Sequence, residues 1–91
     1  MKFAILYHED VVKIDIPKLD VAIRKRIKRA IEDKLPQQPD VFGKPLRRSI
    51  KGYRKLRVGD YRVIFRIEKN KIKIFIIQHR SVIYKNIKKR I

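Results

Sequence analysis

Lys55 and Arg57 stand on one side of the pair Gly59-Asp60, and Arg62 and Arg66 stand on the other. Both flanks are rich in strand-forming residues. Glycine at the first of two central positions suits a tight type II′ hairpin turn. That turn sets Val58 opposite Tyr61, Arg57 opposite Arg62, Leu56 opposite Val63 and Lys55 opposite Ile64. Side chains alternate along a strand, so the four cations share a face. Leu56, Val58, Tyr61, Val63, Phe65 and Ile67 share the other. Like charges placed directly opposite destabilise a sheet, so Arg57 facing Arg62 points to a polyanionic ligand. The solvated face of a one-sided sheet would give the same pattern.

A third strand extends the scheme. Lys69-Asn70 can turn the chain, because asparagine tolerates positive φ. Ile67 then pairs with Ile72, Phe65 with Ile74 and Val63 with Ile76. The cationic face gains Lys73, Phe75, Ile77 and finally His79, so that Ile64, Phe75 and Ile77 form an apolar patch beside the charges.

Other elements must hold this meander. Phe3 to Tyr7 reads as a short strand that pairs with one edge, and the sequence does not say which. Glu9 to Asp15 reads as a brief helix with Val11, Val12 and Ile14 on its apolar side, broken by Ile16-Pro17-Lys18-Leu19. Asp20 is a good N-cap. After it, Ile23, Ile27, Ala30, Ile31 and Leu35 recur as one helical stripe, which Pro36 ends. Arg24, Lys25, Arg26, Lys28 and Arg29 surround the stripe, either as a solvated face or as contacts to an RNA backbone. Gln37 to Pro45 reads as a loop and Leu46 to Ser49 as the lead into the hairpin. The tail to Ile91 reads as a frayed short helix. The order β-α-α-β-β-β makes an α+β domain, an antiparallel sheet covered on one face by two helices.

The 91 residues, 1–91, amount to one domain. Lysine and arginine total 26 against 9 acids, a net charge of +17, which argues for nucleic acid, an acidic protein partner, or both. There is no cysteine, so no disulfide, thiolate nucleophile or cysteine-based zinc site. His8 and His79 lie far apart in sequence, which speaks against a metal site. The first apolar run is too brief for a signal-peptide core, and no stretch reaches membrane-spanning length. A cytoplasmic location with no membrane partner is expected.

The chain resembles the RelE/ParE superfamily of type II toxins. The resemblance rests on Gly43-Lys44-Pro45-Leu46, on Gly52 through Phe65, on His79-Arg80 followed by Tyr84, and on the region around Arg24-Lys25-Arg26-Ile27-Lys28. It is closer to the RelE branch, whose members cleave mRNA in the ribosomal A site, than to the ParE branch, whose members poison gyrase. The resemblance implies a metal-independent endoribonuclease that needs no cofactor. In it the mRNA 2′-hydroxyl attacks the adjacent phosphate. It implies catalytic roles for Lys55 (phosphate contact or proton transfer), Arg57 (phosphate), Arg62 (transition-state charge), Arg80 (acid or charge stabilisation) and Tyr84 (stacking on a codon base). His79 is the second candidate for the base, beside Lys55; a strand-end histidine is the plainer reading. For Tyr84 the plainer reading is an anchor for the tail. Arg24, Lys28, Arg54 and Arg66 are candidates for further RNA contact. The implied partners are the ribosome, mRNA and an acidic antitoxin that covers Ile64, Phe75 and Ile77. One departure is Tyr53, where the family pattern has a lysine. It keeps an inactive RNA- or ribosome-binding module in play, beside a gyrase-inhibiting toxin.

Overall fold

The computed structural model describes residues 3–45 and 52–90. The expected lead-in Leu46–Ser49 lies outside the described residues. Strand β1 is Ala4–Tyr7, followed by a π-helical turn Val11–Asp15 and a 3-10 turn Ile16–Lys18. Helix α1 spans Val21–Lys34 and the short α2 spans Pro39–Phe42. Strands β2 (Lys44–Pro45), β3 (Tyr53–Val58), β4 (Tyr61–Glu68) and β5 (Lys71–His79) follow, and helix α3 (Ile83–Arg90) ends the chain. The strands form one sheet in the order β1-β5-β4-β3-β2, with β1 parallel to β5 and the other pairs antiparallel. The α+β class holds, with β1 placed beside β5 and with a short helix and a two-residue strand inside the expected 37–45 loop.

The β3–β4 register is the expected one along the whole hairpin. Positive φ falls on Gly59 (60°) and not on Asp60, as a type II′ turn requires. The next turn differs: the positive φ (57°) is at Lys69, not Asn70.

Beyond that turn Ile67 pairs with Ile72 and Phe65 with Ile74, as expected, but Ile64 pairs with Ile76 and Val63 with Ile77. A β-bulge has inserted Phe75, and one extra residue moves everything after it to the opposite face. Ile76 therefore joins the cationic side of the sheet, and Ile77 joins the α1 side.

Two cores result. Val11, Leu19, Ile27, Ile31 and Leu35 pack on Leu56, Val58, Val63, Phe65, Ile72, Ile74 and Ile77. Asp20 caps α1 by accepting from the Ile23 N–H, so the stripe begins where the sequence placed it. On the other face Ile64 and Ile76 are covered by Ile83 and Ile87 of α3, with Tyr53 alongside. The tail is thus a packed helix, and the second face of the sheet is not left open.

The first helical segment also departs from expectation. Val11 is buried, but Val12 and Ile14 are exposed and Asp15 is buried in their place. The π winding, in which the Ile16 N–H bonds the Val11 carbonyl, turns Asp15 inward. Pairing of β1 with β5 ends at Ile74. Just beyond, Asp15 accepts from the Ile77 N–H at 2.9 Å and Arg90 donates to the Phe75 carbonyl at 3.0 Å. Two side chains thus satisfy the edge of β5 where strand pairing stops.

Candidate nucleic-acid interface

Alternation on β3 and β4 brings Lys55, Arg57 and Arg62 to one side of the sheet, next to the Gly59 turn. The start of α3 reaches the same place, with the Lys55 Nζ 5.7 Å from the centroid of the exposed Tyr84 ring, within cation–π range.

Arg62 is buried to 7% exposure. Its Nη1 donates to the Gly59 and Tyr61 carbonyls, both at 2.9 Å, so the guanidinium is held against the turn. Its Nε and Nη2 make no hydrogen bond among the described residues. A fixed cation with free donors is suited to charge that develops on a phosphoryl group. Arg80 is held at the tip of the same turn: its N–H donates to the Asp60 carbonyl at 2.8 Å, and its guanidinium lies 3.7 Å from the Asp60 carboxylate. Lys55, Arg57, Arg62, Arg80 and Tyr84 are therefore gathered at one end of the sheet.

His79 was expected on this face and is not on it. The bulge turns it to the α1 side, where its ring meets Tyr61 edge-on at 5.4 Å. Its Nδ1 accepts from the Ser81 N–H at 3.1 Å and lies 2.8 Å from Ser81 Oγ, so the neutral ring carries its proton on Nε2. Gln78 stands opposite Arg62 instead, and its Oε1 accepts from Asn86 Nδ2 of α3 at 2.8 Å. Gln78 and Asn86 were missed in the sequence. The signal was there in Ile74-Phe75-Ile76-Ile77, four apolar residues in a row in a strand that otherwise alternates.

The candidates for further RNA contact do not gather with this cluster. Arg24 and Lys28 lie on α1, and Arg24 Nη2 donates to the Leu19 carbonyl at 3.0 Å. Arg54 also faces the α1 side and donates to the Gly43 carbonyl at 3.0 Å, which ties α2 and β2 to β3. Arg66 stands toward the far end of β4, 3.6 Å from Glu68 and over the Tyr53 ring at 5.6 Å.

The expected apolar patch is not formed. Ile64 is buried under α3, and Ile77 is in the core on the other side of the sheet. Phe75 is half-buried, edge-on to Tyr53 at 5.1 Å and 5.9 Å from the His8 ring. The cause is the bulge together with the packing of α3. Among the described residues no group of His, Asp and Glu side chains is placed to hold a metal ion, and no helix is long and apolar enough to cross a membrane.

The fold matches known proteins. The family model described as ParE toxin of type II toxin-antitoxin system, parDE, matches residues 5–84. The structure of the RelBE2 toxin-antitoxin complex from Mycobacterium tuberculosis is similar at 27% identity and a TM-score of 0.81, over 88% of this chain and 100% of that one. The RelB-RelE antitoxin-toxin complex from Methanococcus jannaschii is 27% identical with a TM-score of 0.69, over 88% of this chain and 95% of that one. A mutant E. coli toxin RelE in the free state shares the fold, with a TM-score of 0.74 at 20% identity over 100% of this chain and 99% of that one. No curated protein matches the chain.

Proposed function

We infer the activity from two facts together: the chain belongs to the ParE toxin family of type II toxin-antitoxin systems, and one end of its sheet carries a cationic cluster suited to phosphoryl transfer. The protein is a ribosome-dependent mRNA endonuclease that cuts in the A site. The observation that carries this reading is the placement of Arg62, with two donors free beside Arg57, Lys55 and Tyr84.

The 2′ oxygen forms a bond to the adjacent phosphorus while the bond from phosphorus to the 5′ oxygen breaks. The products are a 2′,3′-cyclic phosphate and a 5′-hydroxyl end. Negative charge grows on the non-bridging oxygens, and Arg62 and Arg57 stabilise it. Tyr84 stacks on a base and holds the strand in line, which lowers the entropic part of the barrier. Arg80 steadies the leaving 5′ oxygen, which takes its proton from the guanidinium or from solvent water. With His79 on the other side of the sheet, Lys55 is the group placed to take the 2′ proton.

The partners follow from the same reading. An acidic antitoxin neutralises the protein; the similar RelBE2 and RelB-RelE structures are toxin–antitoxin complexes. The matching family model carries the ParE name, which favours gyrase inhibition as the second reading. Tyr53, occupied by contacts to Phe75 and Arg66, leaves a non-cleaving RNA or ribosome binder as a third. Toeprinting of programmed ribosomes separates them. New 5′ ends in the A-site codon are expected. Their absence with folded protein, together with loss of gyrase supercoiling, would establish the second reading; ribosome binding with neither effect would establish the third.

A further inference from the structure

Past Lys55, towards the hairpin tip, the edge of β3 has no neighbouring strand among the described residues, because β2 pairs only with Lys55 and Arg54. There α1 and the hairpin tip enclose a cleft of about 280 Å³ lined by Arg26, Arg29, Ala30, Asp33, Lys34, Arg57, Val58 and Gly59. The side chains of Arg26, Arg29 and Arg57 make no hydrogen bond or ion pair among the described residues. Asp33 is the one carboxylate among the lining side chains.

Arg26 lies directly against the turn. A Cβ on Gly59 would sit 2.9 Å from Arg26 Nη1 and 3.3 Å from its Cζ. Gly59 thus serves twice, for its positive φ and for the space it leaves to a guanidinium. Three guanidinium-bearing side chains without partners line one cleft, although like charges repel. A bound anion would relieve that repulsion, and the planar fork of arginine matches a phosphate with two parallel hydrogen bonds.

We propose that this cleft is a binding site for an RNA backbone phosphate, held by Arg26, Arg29 and Arg57. It rests on the endonuclease reading in one respect, that the strand which enters it is the one whose scissile phosphate lies at Arg62. Arg57 is the link. It is opposite Arg62 in the sheet and also lines the cleft. One backbone can therefore run from the cationic face, round the free edge of β3, onto α1. A nucleic-acid strand offers successive phosphates along such a path, and this favours it over an acidic peptide.

The test is binding of a single-stranded RNA oligonucleotide with 2′-O-methyl groups, which the protein cannot cleave, read by fluorescence anisotropy across a salt series. Replacing Arg26→Gln and Arg29→Gln together should weaken binding and reduce the slope of log K against log salt by about 0.7, the share of one phosphate on a single strand. Lys18→Gln with Lys71→Gln removes the same charge from exposed positions outside the cleft and should leave the slope unchanged. An equal fall in both pairs, or no fall in either, overturns the site. Loss of affinity for an oligoglutamate with the RNA slope intact also overturns it, and assigns the cleft to an acidic protein. The endonuclease reading is judged separately. Wild-type cleavage with an unchanged slope removes the site alone; the expected slope change without wild-type cleavage removes the endonuclease alone.

Discussion

The Asp15 carboxylate and the Arg90 guanidinium meet in a two-point ion pair, with Nη1 2.9 Å from Oδ2 and Nη2 3.0 Å from Oδ1. It joins the first helical segment to the last helix. Both side chains are withdrawn from water, at 0% and 9% exposure. The hydrogen bond to Asp15 raises the Arg90 pKa further above its ordinary value, against desolvation, so the guanidinium stays charged. Removing one partner strands a buried charge, at a cost of about 3–5 kcal/mol. Arg90→Met is therefore expected to lose about that much stability in urea unfolding, while Arg90→Met with Asp15→Leu loses less than the single change. A double variant as unstable as the sum of the singles would refute the coupling.

Tyr7 is expected to make the fold less stable in alkali. Burial, with Glu32 nearby as the smaller cause, raises its pKa above the ordinary 10.0. The raised folded value means that this contribution is fully present below the unfolded pKa and is lost as pH rises through the folded one. Stability should fall as pH rises above about 10, where Tyr7 ionises more readily in the unfolded chain than in the folded one. Tyr7→Phe should flatten that arm in urea melts at successive pH values, and the difference between the two proteins should vanish in slope below pH 9.

The hairpin was legible because every local signal agreed: Gly59 for the turn, alternation on both flanks, and one apolar side facing another. The α1 stripe and its Asp20 cap were legible for the same reason. What failed was non-local. The bulge at Phe75 is marked in the sequence only by the unbroken apolar run Ile74 to Ile77, which does not say where the extra residue falls, yet it reverses Ile76, Ile77, Gln78 and His79. Asp15 looked like the polar end of a short helix, and its partner lies at the other end of the chain. The site was therefore legible on β3 and β4, ahead of the bulge, and misread for His79 and the patch beyond it.

Gly43 is a glycine for want of room, since its φ of −101° suits any residue. A Cβ there would lie 2.1 Å from Cζ of Phe65, which is fully buried. Gly43→Ala should cost about 1–3 kcal/mol by overpacking. Adding Phe65→Leu should restore part of the loss, because the two sites share one space. Urea midpoints at constant slope measure both effects.

Arg62 and Arg80 should separate catalysis from stability. Loss of one charge-stabilising donor in a preorganised site lowers the rate by about 10²–10³. Arg62→Ala and Arg80→Ala are each expected to lower cleavage on that scale. Arg62→Ala should also cost about 1–3 kcal/mol, since it frees two carbonyls at the turn. Arg80 is exposed, and its pairing with Asp60 is worth about 0–1 kcal/mol. Single-turnover cleavage and urea melts on both variants are the check. Full activity in either variant would remove that residue from the mechanism.

The antitoxin prediction turns on α3. Ile77→Lys would not probe a docking patch, because Ile77 is in the core and the change would unfold the protein. Ile64 and Ile76 become available only if α3 leaves, and α3 is held there by Ile83, Ile87, Asn86 and Arg90. An antitoxin segment with apolar and acidic side chains is expected to take that place, which would remove Tyr84 from Lys55 and, on the endonuclease reading, disable the site. Burial of Ile87 argues that Ile87→Ala shifts the helix toward its detached state, at a cost of about 2–5 kcal/mol when the site cannot collapse. Hydrogen exchange should then accelerate in Ile83–Arg90 and not in β4 or β5. Cleavage should fall with the lost Tyr84. Antitoxin affinity should rise, because the apparent dissociation constant is the intrinsic one divided by the competent fraction. Calorimetric titration at high salt isolates the apolar part of binding from the screened charges. Unchanged or weaker binding of Ile87→Ala, with the exchange pattern as expected, would place the antitoxin on another surface.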